Sequence, residues 1–420
     1  MSAPALLRAP DVVPVPRHGR RMHVAVVTET YPPEVNGVAR TIANMVDGLR
    51  SLGHRISLTR PRQHAREKPT EKPLYRETLV GGLPLPGYSG LRFGLPAGEH
   101  FIDDWTIDRP DVVQVVTEGP LGASAVGAAR RLGIPVVSEF HTNFHAYSGH
   151  YGFGWLTRLI AWHMARVHGR ADATLVPTAE LATTLAAQGY RNLRVVARGI
   201  DTARFNPRRR SDELRARWGV AADAPVVAYV GRVAAEKNLP LVMAAFEAIA
   251  ARVPAARLLI VGDGPAREAL ARRHPQHIFA GMRHSDDLAA HFASADLFLF
   301  PSLTETFGNV VIEALASGLP VVAYRTAAAR ELIRSGENGY AAAPRDEADF
   351  VRAAVALAAA PVASHDWRAR IAASVAHLSW GAIHLALEGA LREAIDGHGG
   401  ASRRVAATAY LTPASGGELR

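Results

Sequence analysis

Glu305 and Glu313 stand with seven residues between them in the segment Phe-Pro-Ser-Leu-Thr-Glu-Thr-Phe-Gly-Asn-Val-Val-Ile-Glu that begins at Phe300. The apolar run 297–300 reads as a buried strand, 301–304 as a turn, and 310–316 as a helix closed by Gly318. That order sets Glu305 beside a helix N-terminus. The free amides of Thr306, Phe307, Gly308 and Asn309 can meet a phosphate there, and each carboxylate can grip vicinal hydroxyls. Such a site suits a sugar nucleotide. Position alone equally allows a capped helix, with Glu305 offsetting the dipole and Glu313 on a solvated face.

Cations follow another strand. In Val226-Val-Ala-Tyr-Val-Gly-Arg-Val-Ala-Ala-Glu-Lys-Asn, the spacing of Arg232 and Lys237 suits a diphosphate clamp, Arg giving a planar fork and Lys a point charge. Only three lysines occur, at 68, 72 and 237, so 45 of the 48 basic residues are arginine, and a compact ammonium at 237 hints at a steric demand. A solvated turn is the plain alternative. Gly262, in Leu-Leu-Ile-Val-Gly-Asp-Gly-Pro from 258, permits close backbone approach to a ligand. Met282, in Gly-Met-Arg-His from 281, offers backbone contacts to a base or belongs to an ordinary βα loop.

In the first half, a strand over 23–28 runs into Glu-Thr-Tyr-Pro-Pro-Glu-Val-Asn-Gly-Val-Ala-Arg, which puts Gly37 at a helix start. This is no G-x-G-x-x-G fingerprint, so a loop allowing one close phosphate approach is preferred over dinucleotide binding. His141, in Ser-Glu-Phe-His-Thr-Asn-Phe-His-Ala-Tyr from 138, ends a strand, where a polar contact to substrate is expected. His145 and His150 follow in the loop. No carboxylate completes a metal set and no Asp-x-Asp occurs, so no metal is expected.

The elements that must position these residues are short Val/Ile/Leu runs alternating with longer helical patterns, the mark of parallel sheets covered on both faces. Strands are expected near 23–28, 55–59, 112–116, 135–139, 173–177 and 193–197. A second series is expected near 226–230, 257–261, 278–280, 297–300 and 320–324. Two such series imply two Rossmann-like domains, 22–200 and 201–379, joined around 199–207, with the site in the cleft at the strand ends. Residues 61–100, rich in Pro, Gly and charge, read as a long, partly irregular loop. The ends, 1–21 and 398–420, read as flexible. Residues 153–170 mix Trp, Leu and Ile with Arg158, Arg166 and Arg170, which fits an interfacial membrane helix or one packed on a sheet.

Composition bounds the rest. At 420 residues and 48% hydrophobic the chain can bury sizeable cores. It has no Cys, hence no disulfide or thiolate metal site. No secretory leader is evident over the first 21 residues, and no apolar stretch reaches the roughly 18 residues of a membrane span, so a cytoplasmic protein is expected. The net charge of +9 is uneven: residues 1–210 carry 27 Lys and Arg against 17 Asp and Glu. Nucleic acid, an anionic membrane or an acidic substrate would each reward such a cationic half.

Together the Glu305/Glu313 and Arg232/Lys237 pairs, the Gly37 turn and His141 resemble the retaining GT-B glycosyltransferases of family 4, over about 22–395. The segments Thr-Glu-Thr-Tyr-Pro-Pro-Glu-Val-Asn-Gly-Val-Ala-Arg-Thr and Phe-His-Thr-Asn-Phe-His are most similar to GDP-mannose-dependent α-mannosyltransferases and, somewhat further off, to sulfoquinovosyl-diacylglycerol synthases. The resemblance implies an α/β GT-B fold of two facing Rossmann-like domains. The acceptor would lie on the first, the nucleotide-sugar donor on the second, and a C-terminal helix near 380–397 would cross back onto the first. It implies a lipid or glycan acceptor, peripheral contact with an anionic membrane, no nucleic acid, and no metal or other cofactor. By position, Arg232 and Lys237 would neutralise the donor diphosphate, Glu305 hold sugar hydroxyls and Glu313 those of the ribose. His141 would contact the sugar, Gly37 admit phosphate and acceptor, and Gly262, Met282 and 306–309 line the nucleotide. The implied activity is transfer of a hexose, mannose from GDP-mannose, to a (glyco)lipid. The alternatives are a UDP-sugar-dependent glucosyl or sulfoquinovosyl glycolipid synthase and a catalytically silent sugar-nucleotide-binding protein. Thr306 departs from the Gly of many relatives.

Overall fold

The computed structural model describes residues 20–34, 37–84, 92–141, 154–221, 223–302, 305, 307–360 and 364–398. Strands β1 (His23–Val27), β2 (Arg55–Pro61), β3 (Glu71–Lys72), β4 (Tyr75–Val80), β7 (Val112–Val115), β8 (Val136–Glu139), β9 (Ala173–Val176) and β10 (Leu193–Val195) form one sheet. A hairpin of β5 (Gly82–Pro84) and β6 (Arg92–Gly94) lies beside it. The sheet order is β10-β9-β8-β7-β1-β2-β4-β3, with only β3 antiparallel to its neighbour. Alternation along β1 explains the layering: Val24 and Val26 pack with Ile42, Met45 and Leu49 of the helix Gly37–Ser51, whereas Ala25 and Val27 pack with Leu121, Ala125 and Val126 of the helix Pro120–Leu132.

The second lobe repeats the scheme. Its parallel sheet runs β13 (Ile278–Gly281), β12 (Arg257–Val261), β11 (Val226–Val230), β14 (Leu297–Phe300), β15 (Val321–Tyr324), β16 (Gly339–Ala342). Two Rossmann-like lobes thus face each other, as the two strand series predict. Gly262, at φ +134°, lets the turn after β12 press on the turn after β11, since a Cβ there would lie 1.9 Å from the Gly231 carbonyl oxygen. The close approach made by this glycine is therefore to the backbone that carries Arg232.

The stretch 61–100 differs from its expected loop character: it holds β4, paired in parallel with β2, and the β5–β6 hairpin, and the helix Gly98–Ile107 begins at its end. The strand was hidden by polarity. Glu77 is buried in β4 because Nε of the buried Arg60 in β2 donates to it at 2.7 Å, and Arg60 also reaches Glu67 at 2.7 Å. A binary apolar pattern cannot register a strand whose inward residues are an ion pair. The edge strand β16, Gly-Tyr-Ala-Ala, was likewise not anticipated.

The lobes meet at a hinge and at the cleft. At the hinge the Ile200 amide donates to Leu378 at 2.8 Å, and the indole of Trp380 lies against Gly199, where a Cβ would sit 2.4 Å from the ring. From there the helix Trp380–Gly397 returns to the first lobe, burying Leu387 and Leu391 and joining Glu388 to His54 at 3.1 Å. Across the cleft two helix ends exchange caps. The Ala327 amide, first of the helix Ala327–Leu332, donates to Glu180 at 3.0 Å, and Arg330 pairs with the same carboxylate at 2.7 Å. Reciprocally, the Ala179 amide, first of the helix Ala179–Ala187, donates to Glu331 at 2.6 Å. Each lobe supplies an acceptor for a helix-end amide that has no partner within its own helix.

Gly262→Ala sets a methyl against backbone on a left-handed residue, and is expected to destabilise the second lobe by about 1–3 kcal/mol. The check is a lowered midpoint in thermal unfolding.

Candidate active site

The site lies where the C-terminal ends of β11 and β14 face the start of the helix Gly37–Ser51. After β11 the chain makes the short turn Ala235–Lys237, closed by Asn238 in the left-handed conformation at φ 53°. This turn brings the Lys237 ammonium to 2.5 Å from Glu305 Oε1, while Ser302 Oγ donates to the same oxygen at 2.7 Å. Both charged side chains are 17% exposed, so the pair is sheltered yet reachable. Arg232 stands further out, 58% exposed, with Nη1 3.3 Å from Glu236, and its carbonyl accepts a bond from the Tyr229 hydroxyl at 2.8 Å. Burial, reinforced by Glu305 and Glu236, pushes the Tyr229 pKa up and keeps the phenol a neutral donor.

Glu305 also borders a narrow cleft lined by Phe300, Ser302, Phe307, Tyr324 and Thr326. Gly308, at φ +90°, caps the helix Asn309–Ala316; Phe307 is buried, and Asn309 opens the helix. A Cβ built on Gly37 would lie 3.8 Å from the Asn309 side-chain nitrogen, so the Gly37 turn and this helix start nearly touch across the cleft. Glu313, one turn further, is buried, and its partner is Arg40 of the other lobe, Nη2 to Oε1 at 2.6 Å. Burial raises the Glu313 pKa and the Arg40 guanidinium opposes the rise. Met282 is exposed after β13.

On the first lobe His141 is buried beyond β8, with both ring nitrogens occupied. Arg198 Nη2 lies 2.8 Å from Nδ1 and can only donate, so Nδ1 accepts and the ring proton sits on Nε2, given to Glu139 at 2.6 Å. Gln114 donates to the other Glu139 oxygen. Burial and then Arg198 lower the His141 pKa, which holds the imidazole neutral. Burial works to raise that of Glu139, but His141, Arg198 and Gln114 outweigh it and keep the carboxylate charged. In this state His141 has no nitrogen free for a ligand. Thr306, His145 and His150 lie outside the described residues.

The structure thus brings Lys237 and Glu305 into one pair, leaves Arg232 at the rim, and sets His141 in a network of its own. Sequence reasoning missed Arg40, Arg198 and Glu139. Arg40 closes the segment quoted around Gly37 but carries no local signal, whereas Ser138-Glu139 in an otherwise apolar strand was a sign of buried polar work. Among the described residues no cluster of three or more His, Asp or Glu could hold a metal, and no helix is long and apolar enough to cross a membrane. The helix Gly154–His168 buries Met164 and Val167 but exposes Leu159 and Trp162, with Arg166 over the Trp162 ring at 5.5 Å.

Residues 35–204 match the family described as Glycosyltransferase Family 4, and 224–360 that described as Glycosyl transferases group 1. The chain is 36% identical, over 322 residues covering 76% of it and 83% of the relative, to a GDP-mannose-dependent alpha-mannosyltransferase of Mycobacterium tuberculosis. It is 32% identical, over 78% of its length and 65% of the relative's, to a sulfoquinovosyl transferase of Arabidopsis thaliana. Its fold matches that of sucrose-phosphate synthase from Thermosynechococcus elongatus with a TM-score of 0.70 at 19% identity, covering 89% of this chain and 99% of the other.

His141 has a depressed pKa, and so has His168, which burial takes down to about 4. Both therefore bind protons on unfolding. The stability that their neutral forms contribute is complete above the ordinary histidine value of 6.5 and is lost as pH falls below it toward their folded values. The melting temperature is expected to drop over that window. In Arg198→Met, loss of the guanidinium raises the His141 pKa, which NMR titration of its ring protons will show as an upward-shifted midpoint.

Proposed function

The chain belongs to the family 4 glycosyltransferases, and from that premise we propose that it moves mannose from GDP-mannose to a lipid or glycolipid, with retention of anomeric configuration and without a metal ion. The observation that carries this reading is the sheltered Lys237–Glu305 pair beside the start of the helix Asn309–Ala316, facing Gly37 across the cleft. In the free protein each charge serves the other. A sugar diphosphate replaces both services at once: its phosphates take the ammonium, and its sugar hydroxyls donate to the freed carboxylate.

Arg232 adds a guanidinium fork from the rim, and the two cations stabilise the nucleoside diphosphate as it leaves. The bond from the anomeric carbon to the phosphate oxygen breaks, a bond to the acceptor oxygen forms on the same face, and the departing phosphate takes the acceptor's proton. Glu313 receives the ribose hydroxyls, and the Glu139–His141–Arg198 network holds the wall of the sugar pocket. Gly262, Met282, Phe307, Gly308 and Asn309 line the nucleotide.

A second reading, a UDP-sugar-dependent glycolipid synthase, draws on the similarity to the sulfoquinovosyl transferase. Calorimetric titration with GDP-mannose, UDP-glucose and UDP-sulfoquinovose separates the two. Binding of GDP-mannose is expected, whereas tight uptake of a UDP-sugar with none of GDP-mannose reverses the order. Lys237→Ala and Glu305→Gln are expected to cut transfer of labelled mannose into extracted lipid by about a hundredfold or more, with folding intact. A wild type that binds donor but transfers to no lipid is a binding protein instead.

For the membrane side we rely on the helix Gly154–His168, whose exposed Leu159 and Trp162 beside Arg166 suit an anionic surface on the cytoplasmic face. Flotation with vesicles is expected to require anionic lipid and to weaken with salt; the absence of salt-sensitive association with the vesicles removes this proposal.

A further inference from the structure

Arg40 is the fourth residue of the helix Gly37–Ser51, on the lobe opposite Glu313, and its Nη2 lies 2.6 Å from Glu313 Oε1. The two ends of this bond are unequal. The Glu313 side chain is 5% exposed and rides on the helix Asn309–Ala316, while that of Arg40 is 56% exposed and free to swing into water. A guanidinium meets a carboxylate with N–H donors set side by side, and a ribose meets it with two adjacent hydroxyl donors. The two are chemical substitutes for one another at a group that can only accept.

We infer that Arg40 is a stand-in for the donor's ribose: in the free enzyme it occupies Glu313 and ties the lobes together, and an arriving nucleotide takes its place. This rests on the reading of Glu313 as the ribose contact. The exchange spares Glu313 from being buried without a partner in either state, which is the costly condition for such a group. It also sets a threshold, because a ligand must displace the guanidinium before the carboxylate can accept its hydroxyls. Two further cross-lobe contacts among the described residues, Glu180 with Ala327 and Arg330 and Glu331 with Ala179, involve none of the residues assigned to the donor, so they hold the lobes without competing for the nucleotide. Arg40 is accordingly a positioning residue that tunes donor affinity by occupying the site first.

The test is calorimetric binding of GDP and UDP, and of their 2′,3′-dideoxy analogues, to wild type, Arg40→Ala and Arg40→Gln. Apparent affinity is diminished by the fraction of molecules already latched, so both variants are expected to bind the ribonucleotide about threefold tighter or more. The dideoxy analogue, having no hydroxyls to offer Glu313, is expected to bind all three proteins alike. Variants that bind the ribonucleotide equally or more weakly, in a protein that prefers ribose over dideoxyribose, overturn the stand-in role and leave the ribose contact standing. A wild type indifferent to the missing hydroxyls overturns the ribose contact, and the inference goes with it.

Discussion

A carboxylate taken out of water must be given a cation or several hydrogen-bond donors, because losing its hydration costs more than packing alone returns. On the second lobe's side of the cleft Glu305 and Glu313 are each answered differently. Glu305 is neutralised from within its own lobe, by Lys237 on a turn closed by the left-handed Asn238. Glu313 is neutralised from the facing lobe by Arg40. The architecture follows from these demands: two sheets must aim their strand ends at each other closely enough for side chains to bridge, and a hinge must hold that distance.

The same accounting applies to the basic first half. Several of its arginines are structural. Arg60 is buried on Glu77 and Glu67, and Arg198 on His141 and Glu139. In the second lobe Arg215 and Arg368 are buried with Arg210 beside them, all three reaching Asp296 and the carbonyls that end the helix Ser285–Ser294. Guanidinium suits this work, since its fan of donors satisfies a carboxylate and backbone carbonyls at once.

What was legible in the chain and what was not divides along physical lines. Strands such as β1, β7, β11 and β14 are buried on both faces and read directly as largely apolar runs, and the helix Asn309–Ala316 announces itself by its period and the closing Gly318. That Lys237 and Glu305 would both lie at the cleft could be read from their places after strand ends, but that they pair with each other could not. Arg40 could not, because its partner is 273 positions away and nothing local distinguishes it from a solvated arginine. β4 was hidden for a related reason: its inward Glu77 is acceptable only because Arg60, on a neighbouring strand, is there to receive it. A polar residue that depends on a distant partner, such as Arg40 or Glu77, is hard to tell from a solvated one by its neighbours in sequence alone.

The exchanged helix caps shape how the lobes can part. The Ala327 amide leans on Glu180 and the Ala179 amide on Glu331, so the two contacts are stretched by the same displacement and neither can relax while the other holds. Small excursions gain nothing until water reaches both bare ends. Parting the lobes at this point means breaking both contacts together, a snap fastener more than a spring.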